Sequence, residues 1–133
     1  NAQFKQDNWS PIVYLRENLS QQELAAWYQA AAVLSVNSTA DGLNLIAKEF
    51  VASRLDEQGA LVLSQNAGVA TELARGALLV DPHSAEAVGS AFHQALSFDS
   101  EEKRRRMMSM RHVIGWNQLH NWAVGFLRKA ILD

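Results

Sequence analysis

Val33-Leu34-Ser35-Val36-Asn37-Ser38-Thr39-Ala40-Asp41-Gly42-Leu43-Asn44-Leu45-Ile46-Ala47-Lys48-Glu49-Phe50-Val51 changes periodicity twice. A four-residue apolar run rich in strand formers comes first, and a polar turn ending at Gly42 follows it. Leu43, Ile46, Ala47, Phe50 and Val51 then recur at helical spacing, while Asn44, Lys48 and Glu49 point elsewhere. Strand, turn and half-buried helix in this order form the building unit of an α/β fold.

The same succession continues on both sides. Upstream, Ile12-Val13-Tyr14-Leu15 reads as a strand, and Ser20-Gln21-Gln22-Glu23 matches the capping box that opens a helix. That helix is predicted to run to about Ala31, with Leu24, Trp27, Tyr28 and Ala31 on its apolar face. Downstream, Gly59 introduces the strand Ala60-Leu61-Val62-Leu63, and Asn66-Ala67-Gly68 is turn chemistry before a short helix through Leu73. Ala77-Leu78-Leu79-Val80 makes a fourth strand, ended by Pro82. Ser84 and Ser100 are N-cap residues for helices of roughly 84 to 97 and 100 to 112. A final helix of about 116 to 131 carries Leu119, Ala123, Phe126, Leu127 and Ala130 on one face.

Alternating strands and helices predict a Rossmann-like parallel sheet with helices flanking both faces. Four strands are few for such a sheet. Residues 1–133 therefore read as a portion of one domain, with earlier strands supplied by preceding sequence. The absence of an initial Met fits a fragment or a processed piece.

Composition narrows the class of function. The chain has 133 residues, 48% hydrophobic and 20% charged, which suits a globular domain with a buried core. A net charge of -2 gives no broad attraction for phosphate backbones, so nucleic acid is not an expected partner. With no cysteine there is no disulfide framework or thiolate metal site, as suits a reducing cytoplasm. No apolar run approaches the ~20 residues that span a bilayer, and the first residues lack a signal peptide's basic and apolar regions. A cytoplasmic protein without membrane partners is expected.

In an open α/β sheet, ligands bind outside the carboxyl ends of the strands, which directs attention to residues 37–42. Gly42 lets the backbone come close to a ligand, and the N–H groups of Leu43, Asn44 and Leu45 at the helix start can hold a diphosphate. If the helix begins near Asp41, helical rise puts the carboxylates of Asp41 and Glu49 on the order of 12 Å apart. A nucleotide sugar has about that reach from hexose to ribose. Carboxylates accept hydrogen bonds from vicinal hydroxyls, so Asp41 could hold the sugar and Glu49 the ribose. The pattern has a plainer reading too: Asp-Gly before a helix is commonly a cap and turn, and Glu49 a solvated helix residue.

Asp41-Gly42-Leu43-Asn44-Leu45-Ile46-Ala47-Lys48-Glu49-Phe50-Val51-Ala52 closely resembles a central segment of the trehalose-6-phosphate synthase family. Leu61-Val62-Leu63-Ser64-Gln65, Ala67-Gly68, Glu72-Leu73 and Ala77-Leu78-Leu79-Val80-Asp81-Pro82 extend the resemblance, which covers nearly the whole chain from Trp9 onward. It implies a retaining GT-B glycosyltransferase with two Rossmann-like domains, this chain being part of the C-terminal one. Such an enzyme transfers glucose from a nucleotide diphosphate sugar to glucose 6-phosphate. The resemblance assigns Asp41 to the donor sugar as the catalytic-site carboxylate, the Gly42-Leu43-Asn44-Leu45 backbone to sugar and diphosphate, and Glu49 to the ribose. It implies no resident cofactor. It places phosphate-binding cations upstream, and acceptor contacts in an N-terminal GT-B domain that these residues do not include. Homo-oligomerisation is left open.

This chain departs from the family pattern beside the site. The family usually has Thr-Pro-Leu-Arg before the Asp-Gly, where this chain has Asn37-Ser38-Thr39-Ala40, and Asn66 replaces a usual Phe. Ala40 removes a charge next to the site. Glucosylglycerol-phosphate synthases and pseudo-glycosyltransferases are similar in sequence, so another acceptor, or a noncatalytic binding module, is the competing expectation.

Other features carry no ligand chemistry. Glu101 and Glu102 precede Lys103-Arg104-Arg105-Arg106 at the spacing of a solvated, salt-bridged helix face. His83, His93, His112 and His120 show no metal-ligand spacing, so no metal site is predicted. Met107, Met108 and Met110 read as packing residues. Trp116, Trp122 and Phe126 suit either a core or the cover of a neighbouring domain.

Overall fold

Every residue of Ala60–Ser64 is buried, as expected of a parallel strand covered on both faces. The computed structural model describes residues 3–116 and Val124. Its elements are, in order, α1 (Gln21–Ala30), β1 (Val33–Val36), α2 (Leu45–Ser53), β2 (Ala60–Ser64), α3 (Ala70–Leu73), β3 (Leu78–Val80), α4 (Ala85–Ser97) and α5 (Ser100–Trp116). The sheet order is β1-β2-β3, parallel throughout, with Val36 opposite Leu63 and Ser64 opposite Val80.

Alternation along β2 sorts the interior into two cores. Leu61 and Leu63 join Tyr28, Phe50, Val51, Leu73, Met107 and Met110 on one face. Ala60 and Val62 meet Ala91 and Ala95 of α4 on the other. Helices therefore cover both faces, and Met107 and Met110 pack as expected. Met108, by contrast, is 48% exposed.

Several expectations need correction. Residues 12–15 form no strand among the described residues, and Val13 and Tyr14 are 75% and 80% exposed. A strand is stabilised by its ladder, and no described strand pairs with this segment. Trp27 lies outside the core at 55% exposure; the buried side chain of α1 is Tyr28. The cap of α5 is Asp99 rather than Ser100: its carboxylate accepts the Glu102 N–H at 2.8 Å. The helix then continues to Trp116, beyond the expected 112, because Met107, Met110 and Ile114 keep its inner stripe packed. The expected helix of 116 to 131 lies, past Trp116 and apart from Val124, outside the described residues, as does His120.

The capping box at Ser20 and Glu23 is present in full, and Ser84 caps α4 through Ala87. Two arginines brace the helices that flank the site. Arg54, 4% exposed, donates to the carbonyls of Tyr28, Gln29 and Ala31 at the carboxyl end of α1. Arg111 of α5 donates to the carbonyls of Val51, Ala52 and Arg54 at the carboxyl end of α2. Exposed helix-end carbonyls attract such cations, so α5 holds α2, and α2 holds α1. The basic run of α5 is engaged in structure: Arg105 and Arg106 both reach Glu102 at 2.7 Å, Arg104 reaches Glu57, and Arg106 stacks on Phe98.

Candidate functional site

The turn at residues 41–44 is organised by one carboxylate. Asp41 Oδ1 accepts the backbone N–H groups of Leu43 and Asn44, both at 3.1 Å. Its Oδ2 accepts from the Asn44 side-chain amide at 2.8 Å. Asn44 is the N-cap of α2: its Oδ1 accepts the Ala47 N–H at 3.0 Å, and its backbone adopts φ 60, ψ 80. Asparagine tolerates this left-handed conformation better than most residues, which suits the position. The Asn44 side chain foremost, then the Leu43 N–H, the Asn44 N–H and the Ser38 hydroxyl, hold the Asp41 carboxyl below its usual range against the opposing effect of burial. Asp41 is a carboxylate at neutral pH.

This geometry changes what the sequence predicted for the amides. Of the three N–H groups expected to face a diphosphate, those of Leu43 and Asn44 are taken by Asp41. Among the described residues, the N–H groups of Gly42 and Leu45 carry no hydrogen bond. The helix also begins at Leu45, so the estimate based on helical rise from Asp41 does not apply across residues 41–44. Gly42 has no positive φ, and a Cβ there would meet nothing within 4 Å. The fold itself does not require glycine at 42; the space in front of it is open.

A second loop grips the first. Asp41 forms a parallel bridge with Ala67, its N–H donating to the Asn66 carbonyl at 3.4 Å and its carbonyl accepting the Gly68 N–H at 2.8 Å. Asn66 Nδ2 also donates to the Thr39 carbonyl at 3.0 Å. A Cβ on Gly68 would lie 2.0 Å from the Gly42 carbonyl oxygen, so only glycine fits there. The parallel register of β1 and β2 brings these two loops together at the carboxyl end of the sheet.

Glu49 lies on α2 and lines a cleft between α1 and α2 with Gln21, Leu24, Ala25, Tyr28 and Ser53. Its Oε2 accepts from the Tyr28 hydroxyl at 3.3 Å. Burial, then the Glu49 charge and hydrogen bond, push the Tyr28 hydroxyl up to about 12. Lys48, on another side of α2, pairs with both oxygens of Glu72 at 3.0 Å and ties α2 to α3. Leu43, Leu45 and Ile46 are exposed at 50% or more, although Leu43 and Ile46 were expected on the buried face. Starting α2 at Leu45 aims only Ala47, Phe50 and Val51 inward.

Tyr28 and Gly68 are the site neighbours that sequence reasoning passed over, one read as a core residue and the other as a turn. The signal for Gly68 was its place after the strand adjacent to β1. Among the described residues, no group of three or more His, Cys, Asp or Glu could hold a metal ion, and no helix is long and apolar enough to cross a membrane.

Comparison with known proteins identifies the family. The family model described as Glycosyltransferase family 20 matches residues 1–131. A trehalose-6-phosphate synthase of Mycobacterium sp. (strain KMS) is 47% identical over 118 residues, covering 88% of this chain and 24% of the relative. A glucosylglycerol-phosphate synthase of Pseudomonas anguilliseptica is 37% identical over 129 residues, covering 96% of this chain and 17% of the relative. The crystal structure of an alpha,alpha-trehalose-phosphate synthase (UDP-forming) from Burkholderia xenovorans in complex with glucose-6-phosphate superposes with a TM-score of 0.91 at 35% identity. That match covers 97% of this chain and 29% of the solved one. The chain thus spans less than a third of the length of each of these proteins. Its sheet and flanking helices have the Rossmann-like fold of the corresponding part of GT-B trehalose-phosphate synthases. On the match to the family model across residues 1–131, the chain belongs to glycosyltransferase family 20.

Proposed function

We propose that this chain supplies the donor-binding part of a retaining enzyme that transfers glucose from UDP-glucose to glucose 6-phosphate. The observation that carries the reading is the braced turn at Asp41 to Asn44, with unbonded Gly42 and Leu45 amides and the carboxylate of Glu49 farther along α2. Asp41 meets the hexose with its remaining acceptor capacity. The Gly42 and Leu45 amides, which Asp41 leaves open, receive the diphosphate, aided by the α2 N-terminus. Glu49 receives the ribose hydroxyls. Relatives that form trehalose phosphate with release of UDP support this assignment of donor and acceptor. The reading calls for no resident cofactor or metal. It assigns acceptor contacts to a separate N-terminal GT-B domain, so residues 1–133 alone should show no transfer.

Calorimetry on a full-length enzyme carrying this chain tests the roles. Glu49→Gln should weaken UDP binding by about 1.5–3 kcal/mol through loss of charge-assisted hydrogen bonds. Asp41→Asn should reduce transfer more than UDP affinity, because UDP has a ribose and no hexose. Unchanged UDP affinity in folded Glu49→Gln would place the ribose elsewhere.

A second reading has its own support. Ala40 stands where Arg is usual, and a glucosylglycerol-phosphate synthase is among the relatives. Transfer to glycerol 3-phosphate in preference to glucose 6-phosphate would favour it, and donor binding without transfer to either would favour a noncatalytic module.

A further inference from the structure

Glu49 is an exposed side chain on the second turn of α2, and a solvated glutamate ordinarily samples many rotamers. Here it is tethered. Among the described residues, the Tyr28 hydroxyl is its one hydrogen-bond partner, and no cation pairs with it. Tyr28 itself cannot swing away. Its ring is 6% exposed and packs edge-on against Phe50, with centroids 6.1 Å apart and planes at 82°. The carbonyl of Tyr28 accepts from Arg54, which fixes the backbone beneath it.

The bond joins a rigid donor to an otherwise free acceptor across the cleft between α1 and α2. We propose that Tyr28 is a positioning residue for Glu49: its hydroxyl holds Oε2 and leaves Oε1 facing the cleft, preset for the vicinal hydroxyls of a ribose. This rests on the reading of Glu49 as the ribose acceptor. Fixing the carboxylate beforehand removes ordering entropy that ligand binding would otherwise have to overcome. The hydroxyl donates to the carboxylate without supplying a cation that would compete with a ligand for it.

Full-length enzyme with Tyr28→Phe, Glu49→Gln and both substitutions tests the proposal, with UDP and inorganic pyrophosphate as probes. Phenylalanine keeps the ring and its contact with Phe50, so folding is expected to survive; equal melting temperatures would verify it. Tyr28→Phe should weaken UDP about five- to tenfold and leave pyrophosphate unchanged, since only UDP carries a ribose. In the Glu49→Gln background, adding Tyr28→Phe should have little further effect. Three outcomes overturn the proposal: UDP affinity unchanged in Tyr28→Phe while Glu49→Gln weakens it, parallel loss of UDP and pyrophosphate, or additive losses in the double variant. If Glu49→Gln leaves UDP affinity unchanged, the ribose assignment itself fails, and the proposal falls with it.

Discussion

The Gly68 N–H donates to the Asp41 carbonyl at 2.8 Å, so the loop after β2 acts as a backstop for the loop after β1. Gly68→Ala would set a Cβ 2.0 Å from the Gly42 carbonyl oxygen, backbone against side chain with nothing flexible to yield. Overpacking of this kind costs about 1–3 kcal/mol and should displace residues 41–43. A lowered melting temperature together with lost UDP binding is expected.

Asn44 performs two tasks at once, capping α2 and steadying Asp41, in a left-handed conformation. Asn44→Ala removes both bonds and keeps an unfavourable φ, for an expected loss of about 2 kcal/mol. Asn44→Gly relieves the backbone but not the missing bonds, so its melting temperature should fall between wild type and the alanine variant.

Arg54 is a buried cation bonded to three carbonyls of α1 and its cap, and to Asp56 at 2.9 Å. Arg54→Met fills similar space and abandons every one of those acceptors. Destabilisation of about 3 kcal/mol is expected, read as a lower melting temperature. Asp56→Asn should have a small effect, since Asp56 is half exposed.

Glu102 sets part of the acid limit. Hydrogen bonds from Arg105 and then Arg106 hold its carboxyl down to about 2. The group binds a proton less readily folded than unfolded, so its stabilisation is present above the ordinary glutamate range near 4.5 and is lost as pH falls toward 2. Asp41 shifts in the same direction, through Asn44 first. Glu102→Gln should flatten the fall in melting temperature over that window and lower the melting temperature at neutral pH.

At the alkaline end the sign reverses in its consequence. Tyr28 releases its proton at about 12 folded and near 10 unfolded, so its contribution is full below 10 and fades as pH rises toward 12. The ultraviolet difference titration of wild type against Tyr28→Phe should show this late phenolate. Glu49→Gln should move it earlier, though still above 10, because burial is the largest cause of the shift.

Periodicity made most of this architecture legible. The parallel sheet, the two-sided helical cover and the turn at the carboxyl end of β1 all follow from alternating strand and helix patterns between residues 20 and 97. Two kinds of information were not carried by pattern. Whether Ile12 to Leu15 pairs as a strand depends on a neighbour, which local sequence does not supply. Which amides Asp41 occupies depends on side-chain rotamers within four residues, where a capping carboxylate and a ligand-facing one look the same in sequence. Tyr28 was hidden for a related reason: its ring belongs to the core and its hydroxyl to the cleft, and hydrophobic spacing reports only the ring.

The carboxylate seated on the Leu43 and Asn44 amides also bears on selectivity among anions. A tethered anion competes for these N–H groups at a far higher effective concentration than any small ion in solution. Free phosphate or sulfate meets only the Gly42 and Leu45 amides that Asp41 leaves open, and gains nothing at Glu49. A ligand that also reaches Glu49, on the second turn of α2, gains there what it lacks at those amides. On the proposed reading the turn should favour a ligand that also reaches Glu49 over a small inorganic anion, and it does so with a residue already required for its own shape.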